Sequence, residues 1–172
     1  MKKLAALVFL LFSANSAHAG TAECTQEFPG RVLLESGHRA YALLEALQLK
    51  IGSQAMPIQL CVQEGDERSF VAASRRRKTT TIVASRFTFT RFSNAALIGA
   101  LAHELGHIAR NARNPNPNAR EREYEDQMAD AFAIRLVGTE PLRAAYLAHT
   151  HDKAMTERRI SRALKLLGKG TE

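Results

Sequence analysis

From Arg31 to Lys50, apolar side chains recur at Val32, Leu33, Leu34, Leu43, Leu44 and Leu47, with Tyr41 among them, close to a helical period. Gly52 follows as a stop signal, so the spacing predicts a first helix over Arg31 to Lys50. The period then shortens. Ile58 to Val62 (IQLCV), Ser69 to Ala73 (SFVAA) and Thr79 to Thr90 (TTTIVASRFTFT) are short, β-branched or aromatic, and separated by polar turns such as Glu64-Gly65-Asp66. These three runs predict a small three-stranded sheet. Helical spacing returns with Leu97, Leu101, Leu105 and Ile108, a stripe that Ser93 or Asn94 can cap and that ends near Arg110. After the connector Asn111 to Asn118 (NARNPNPN), further helices are predicted over Arg120 to Val137, Pro141 to His149 and Lys153 to Leu167. A helix, three strands and four more helices make an α+β domain.

The residues ahead of this pattern follow a different one. Met1-Lys2-Lys3 is a positive end, Leu4 to Phe12 (LAALVFLLF) a short apolar run, and Ala17-His18-Ala19 a small-residue cleavage site. Together they predict a secretory signal peptide over residues 1–19, leaving residues 20–172 as a single domain in the periplasm or outside the cell. The apolar run is too short to span a bilayer as a mature anchor. Such a compartment is oxidising, so Cys24 and Cys61, too few for a disulfide scaffold, can form one bridge tying the N-terminal arm to the body.

Charge narrows the partners. Lys and Arg number 24 against 17 Asp and Glu, a formal +7 that favours an anionic neighbour. The densest basic run, Arg75-Arg76-Arg77-Lys78, reads as a solvated turn, with attraction of acidic substrate segments or of an anionic envelope surface as the functional alternative. Nucleic acid is excluded as a partner: the cations are not interleaved with aromatic residues, and Trp is absent.

The chemistry concentrates in the helix after the strands, which contains Ala102-His103-Glu104-Leu105-Gly106-His107. This is an H-E-x-x-H motif within a helical period. Residues four apart share a face, so His103 and His107 can offer imidazole nitrogens to one tetrahedral metal, while Glu104, about 100° around, reaches a water beside it. Zinc at such a site makes that water acidic and polarises a carbonyl, and the glutamate takes the proton as general base. A catalytic site wants a third protein ligand. Downstream, Asp126, Ala129, Asp130 and Ala133 fall at i, i+3, i+4 and i+7, a face of two carboxylates and two small residues that admits another helix closely. One carboxylate there can complete the metal shell, and the other can accept the free N–H of a ligand histidine. His149 and His151, near a helix end, are read as caps of its C-terminus, with approach to the metal or to a transition-state oxyanion as the functional alternative.

Thr81-Ile82-Val83-Ala84-Ser85, the H-E-L-G-H helix and Ala129-Asp130-Ala131-Phe132-Ala133 together resemble the small gluzincin-type zinc metalloproteases. That group comprises the HtpX-like and CAAX-prenyl-endopeptidase-like enzymes and their soluble minimal relatives, the minigluzincins. The resemblance covers about Ser69 to Val137. It implies a zincin-like fold, a peptide or protein substrate, His103 and His107 as zinc ligands, Glu104 as general base, and Asp130 as the carboxylate behind a ligand histidine. The third-ligand position of the group's E-x-x-A-D-x-x-A pattern falls on Asp126, where the group has glutamate, and Glu123, with its longer arm, is the alternative. The resemblance also implies that the strand Thr79 to Thr90 is an edge strand holding an extended substrate by backbone hydrogen bonds, against the plainer reading of a strand that covers the core. The rival to an exported zinc endopeptidase is a non-catalytic exported zinc-binding or envelope-assembly protein; Glu104 argues against it, since a structural site needs ligands and has no use for that carboxylate.

Overall fold

The computed structural model describes residue 24 and residues 31–52, 57–65, 71–76, 79–110 and 118–168. The expected signal peptide, residues 1–19, lies outside the described residues. The chain folds as a mixed α+β structure. In order, β1 (Arg31–Leu33), α1 (Arg39–Lys50), β2 (Ile58–Gln63), β3 (Val71–Arg76) and β4 (Thr79–Ser85) are followed by α2 (Arg86–Arg91), α3 (Asn94–Arg110), α4 (Ala119–Val137), α5 (Thr139–Thr150) and α6 (Lys153–Gly168). No helix among the described residues is long and apolar enough to cross a membrane.

The three expected strands are joined by a short fourth, in the order β1-β2-β4-β3. β2 runs parallel to β4, with Leu60 opposite Ile82, and the pairs β1–β2 and β3–β4 are antiparallel. Two sequence expectations are corrected here. Arg31 to Leu33 is a strand rather than the start of the first helix, because Val32 pairs with Val62 across the sheet. The helix begins only at Arg39, where the His38 side chain accepts a hydrogen bond from the Ala40 N–H. Likewise Thr79 to Thr90 is not one strand. Ser85 ends β4 and caps α2, its hydroxyl accepting from the Thr88 N–H at 3.1 Å, so the alternating RFTFTR segment coils into a short helix. The basic run is also corrected in part: Arg75 and Arg76 lie in β3, opposite Thr80 and Thr79, rather than in a turn.

Strand alternation decides which face of the sheet does what. Leu60 and Val62 of β2 and Ile82 and Ala84 of β4 are buried in a core with Leu44 and Leu47 of α1, Phe89 of α2, and Leu97, Leu101 and Leu105 of α3. The intervening Cys61 and Val83 form a separate buried cluster with Cys24. There Cys24 and Cys61 are joined in a disulfide, Cα to Cα 6.6 Å.

Helix α3 is the spine of the helical layer, packed against α4 and α5 and flanked by β3. Two glycines set how closely. A Cβ on Gly99 would stand 2.0 Å from the Pro141 carbonyl oxygen at the start of α5, and one on Gly106 would stand 2.8 Å from Ala129 Cα in α4. Both contacts are with backbone, which cannot swing away, so any side chain at either position must push the helices apart. The residue that costs α3 helical propensity is therefore what lets α4 reach it. At its start α4 is fixed by a capping box, the Asn118 side chain accepting from the Glu121 N–H and the Glu121 carboxylate accepting from the Asn118 N–H, both at 2.9 Å.

Candidate metal centre

His103 and His107 stand one turn apart on α3, with their Nε2 atoms 3.0 Å from each other. Across the Gly106–Ala129 contact, α4 brings in Asp126, whose Oδ1 lies 3.5 Å from His107 Nε2. One donor atom from each of these three residues falls within 4.8 Å of the others, all partly buried. Two donors held tetrahedrally at about 2.0–2.1 Å from one ion are roughly 3.3 Å apart. Two of the three separations, 3.0 and 3.5 Å, are of that size and the third is within 4.8 Å, so the three residues could hold a metal ion.

Behind His103 sits Asp130, fully buried at 0% exposure. Its Oδ1 is 2.8 Å from His103 Nδ1. A buried carboxylate in that position accepts the Nδ1–H, which fixes the tautomer and leaves the Nε2 lone pair turned towards His107 and Asp126. The Asp130 carboxylate is itself held from two further helices. The Tyr146 hydroxyl of α5 donates to Oδ1, and the Arg159 Nε of α6 donates to Oδ2 at 3.0 Å. Arg159 lies over the Tyr146 ring, its Cζ 4.4 Å from the centroid, and its Nη2 reaches to 3.7 Å from Asp126 Oδ2.

Glu104 follows His103 and is buried at 5% exposure. It is not among the three clustered donors. Its charge bears on His107. Burial opposes a charge on that imidazole, but the hydrogen bond with Asp126 and the carboxylates of Glu104, Asp126 and Asp130 outweigh it and raise the pKa above the usual histidine value. Burial would raise the Asp126 pKa, yet the His107 hydrogen bond and the charges of Arg159 and His103 bring it below the usual carboxylate value. Burial, and after it the charge on Asp130, drives the Tyr146 phenol well above its ordinary range, so the hydroxyl keeps its proton and remains a donor.

Several expected residues stand elsewhere. Glu123, the longer-armed alternative, is 57% exposed in its side chain and pairs with Arg162 Nη1 at 2.5 Å, so it is outside the cluster. His151 is exposed and caps α5 in a left-handed conformation (φ 56°), its backbone N–H donating to the Leu147 carbonyl at 3.0 Å. His149 is exposed in the last turn of the same helix. β4 is not an edge strand, because β2 and β3 occupy its two sides; the edges of the described sheet are β1 and β3, of which β3 lies alongside α3.

Neither Tyr146 nor Arg159 is singled out by the sequence. The available signal was an arginine on the wrong side of an amphipathic helix: Arg159 adjoins buried Ile160 and sits three residues after buried Thr156, whereas Arg158 and Arg162 are exposed. No protein-family model matches the chain, and a comparison with curated proteins finds no match.

Proposed function

We propose that this chain is an exported zinc-dependent endopeptidase with a zincin-like domain of the minigluzincin kind. The observation that carries this reading is the convergence of His103 Nε2, His107 Nε2 and Asp126 Oδ1, with buried Asp130 behind the first histidine. The resemblance of the H-E-L-G-H helix and the A-D-x-x-A segment to gluzincins supports it. Two neutral imidazoles and one carboxylate are a donor set that suits zinc, and three protein ligands leave one position open. Zinc, when bound, lowers the pKa of a coordinated water towards neutrality and polarises the substrate carbonyl. Asp130 keeps the His103 proton on Nδ1, Glu104 accepts the proton of the attacking water and passes it to the leaving amine, and β3, with one strand neighbour among the described residues, is the edge beside α3 that would take an extended peptide. Export follows from the cleavable N-terminal segment read in the sequence, and the formal charge left once Lys2 and Lys3 go with it, 7 − 2 = +5, is compatible with acidic substrates or an anionic envelope surface.

The test is metal content of the purified mature protein together with hydrolysis of casein or a peptide library, with and without a chelator. Stoichiometric zinc and chelator-sensitive cleavage are expected. Zinc without any cleavage would favour the rival reading of a non-catalytic zinc-binding module.

A further inference from the structure

The carboxylate of Asp126 is flanked on both sides. Its Oδ1 is turned to His107 Nε2 at 3.5 Å, and its Oδ2 to Arg159 Nη2 at 3.7 Å. The same guanidinium donates through Nε to Asp130 Oδ2 at 3.0 Å, while Asp130 Oδ1 accepts from His103 Nδ1 at 2.8 Å. One side chain from α6 thus spans the third-ligand carboxylate and the carboxylate that orients the first ligand. The Tyr146 ring beneath it, 4.4 Å from Cζ, limits where the guanidinium can lie. We propose that Arg159 is a positioning residue of the metal centre: by pairing with Asp126 Oδ2 it turns Oδ1 towards the ion, and by holding Asp130 it sets the ring of His103 in the same act. This role rests on the zinc-site reading and assigns to α6 a part in it.

The chemistry requires an arginine. A guanidinium presents donors in a flat fork, so Nε and Nη2 can serve two carboxylates at once, whereas an ammonium is a compact point charge. A carboxylate with both oxygens free can chelate one ion through both. Occupying one oxygen favours a single-oxygen contact and keeps the coordination number low, which leaves room for water and substrate. An aspartate arm is too short to adjust its own angle far, so the direction of its free oxygen depends on what holds the other.

The experiment measures zinc affinity by competition with a chromogenic chelator, and the visible absorption of the cobalt-loaded protein, for wild type, Arg159→Gln, Arg159→Lys, Asp126→Asn and the double variant Arg159→Gln/Asp126→Asn. Arg159→Gln should weaken zinc binding about 10- to 100-fold, the usual range for loss of an outer partner of a ligand, and alter the cobalt bands. Arg159→Lys should recover only part of the affinity. In the Asp126→Asn background the Arg159→Gln step should cost less than it does alone, because the carboxylate through which it acts is gone. A residue that merely stabilised the fold would lower the melting temperature of the chelated protein in both backgrounds equally and leave the cobalt spectrum unchanged. Wild-type affinity and spectrum in Arg159→Gln or Arg159→Lys, or equal losses in both backgrounds, would overturn the role of Arg159 and leave the zinc site standing. Absence of zinc and cobalt uptake by the wild type would overturn both.

Discussion

Gly106 faces Ala129 so closely that a Cβ on the glycine would lie 2.8 Å from Ala129 Cα and 3.0 Å from its carbonyl oxygen. The glycine lies within the histidine motif and the alanine beside Asp130, so their contact sets the distance between the two halves of the candidate metal centre. Gly106→Ala would gain about 1 kcal/mol of helix propensity at an exposed site. Here the clash dominates, and overpacking of this kind costs about 1–3 kcal/mol. The substitution should lower the melting temperature of the metal-free protein and weaken zinc binding as well, because moving α4 away draws Asp126 from the histidines. Calorimetry with and without zinc checks both effects.

Glu104→Gln should leave zinc binding and melting temperature near wild type while lowering peptide hydrolysis by about two orders of magnitude or more, since it removes the proton acceptor and keeps the side-chain shape. Undiminished turnover in that variant would sink the endopeptidase mechanism.

Asp126 and Glu123 should separate cleanly. Asp126→Ala removes one of the three clustered donors and should weaken zinc affinity by at least about 100-fold. Glu123→Ala removes an exposed partner of Arg162, a contact worth about 1 kcal/mol or less, and should leave zinc affinity unchanged. Competition titration of the two variants side by side decides the third ligand.

The metal-free protein should respond to pH in the direction set by His107. Its pKa in the folded state is raised, so the protonated ring contributes stability that is fully present below the unfolded value of about 6.5 and fades as pH rises through the folded value. Between about pH 8 and 6, the chelated wild type should gain melting temperature relative to His107→Gln. Zinc affinity should move the other way, falling as the pH drops, because the ion must displace that proton. Melting curves of both proteins in chelator, across that range, supply the comparison.

Reduction of the Cys24–Cys61 bridge releases a connection across 37 positions of sequence. In the chain-entropy account a loop of that size corresponds to roughly 3–4 kcal/mol. Cys24→Ser should therefore melt well below wild type, by the same amount as wild type in reductant; free-thiol titration of denatured wild type should find none. Two titratable thiols in the untreated protein would refute the bridge.

Which parts could be read in the sequence follows from how far each signal reaches. His103 and His107 announce themselves because their relationship is a helical turn, and Asp126, Ala129, Asp130 and Ala133 because a helix face repeats locally. Ser93 caps α3 through its neighbour Ala96, again a local event, at 3.2 Å. Strand β1 carries helical spacing in the sequence, yet its three residues owe their conformation to Gln63, Val62 and Cys61, about thirty positions on. Segment RFTFTR alternates like a strand, but Ser85, buried and bonded to Thr88, offers a helix start that outweighs the alternation. Tyr146 and Arg159 meet Asp130 across 16 and 29 residues, and neither separation carries a period that a single sequence would display.

The partners of Asp130 also have an order in time. His103 and Asp130 are made first, then Tyr146, and Arg159 only in the last helix described, α6. A chain synthesised from its N-terminus contains both histidines and both aspartates before the guanidinium that holds the aspartates is added. Until α6 docks, Asp130 Oδ2 lacks the Arg159 Nε donor, and a buried carboxylate short of a donor is costly. Helix α6 thus acts as a latch on synthesis: a nascent chain that stops short of Arg159 carries the whole H-E-x-x-H motif without the guanidinium that holds both aspartates.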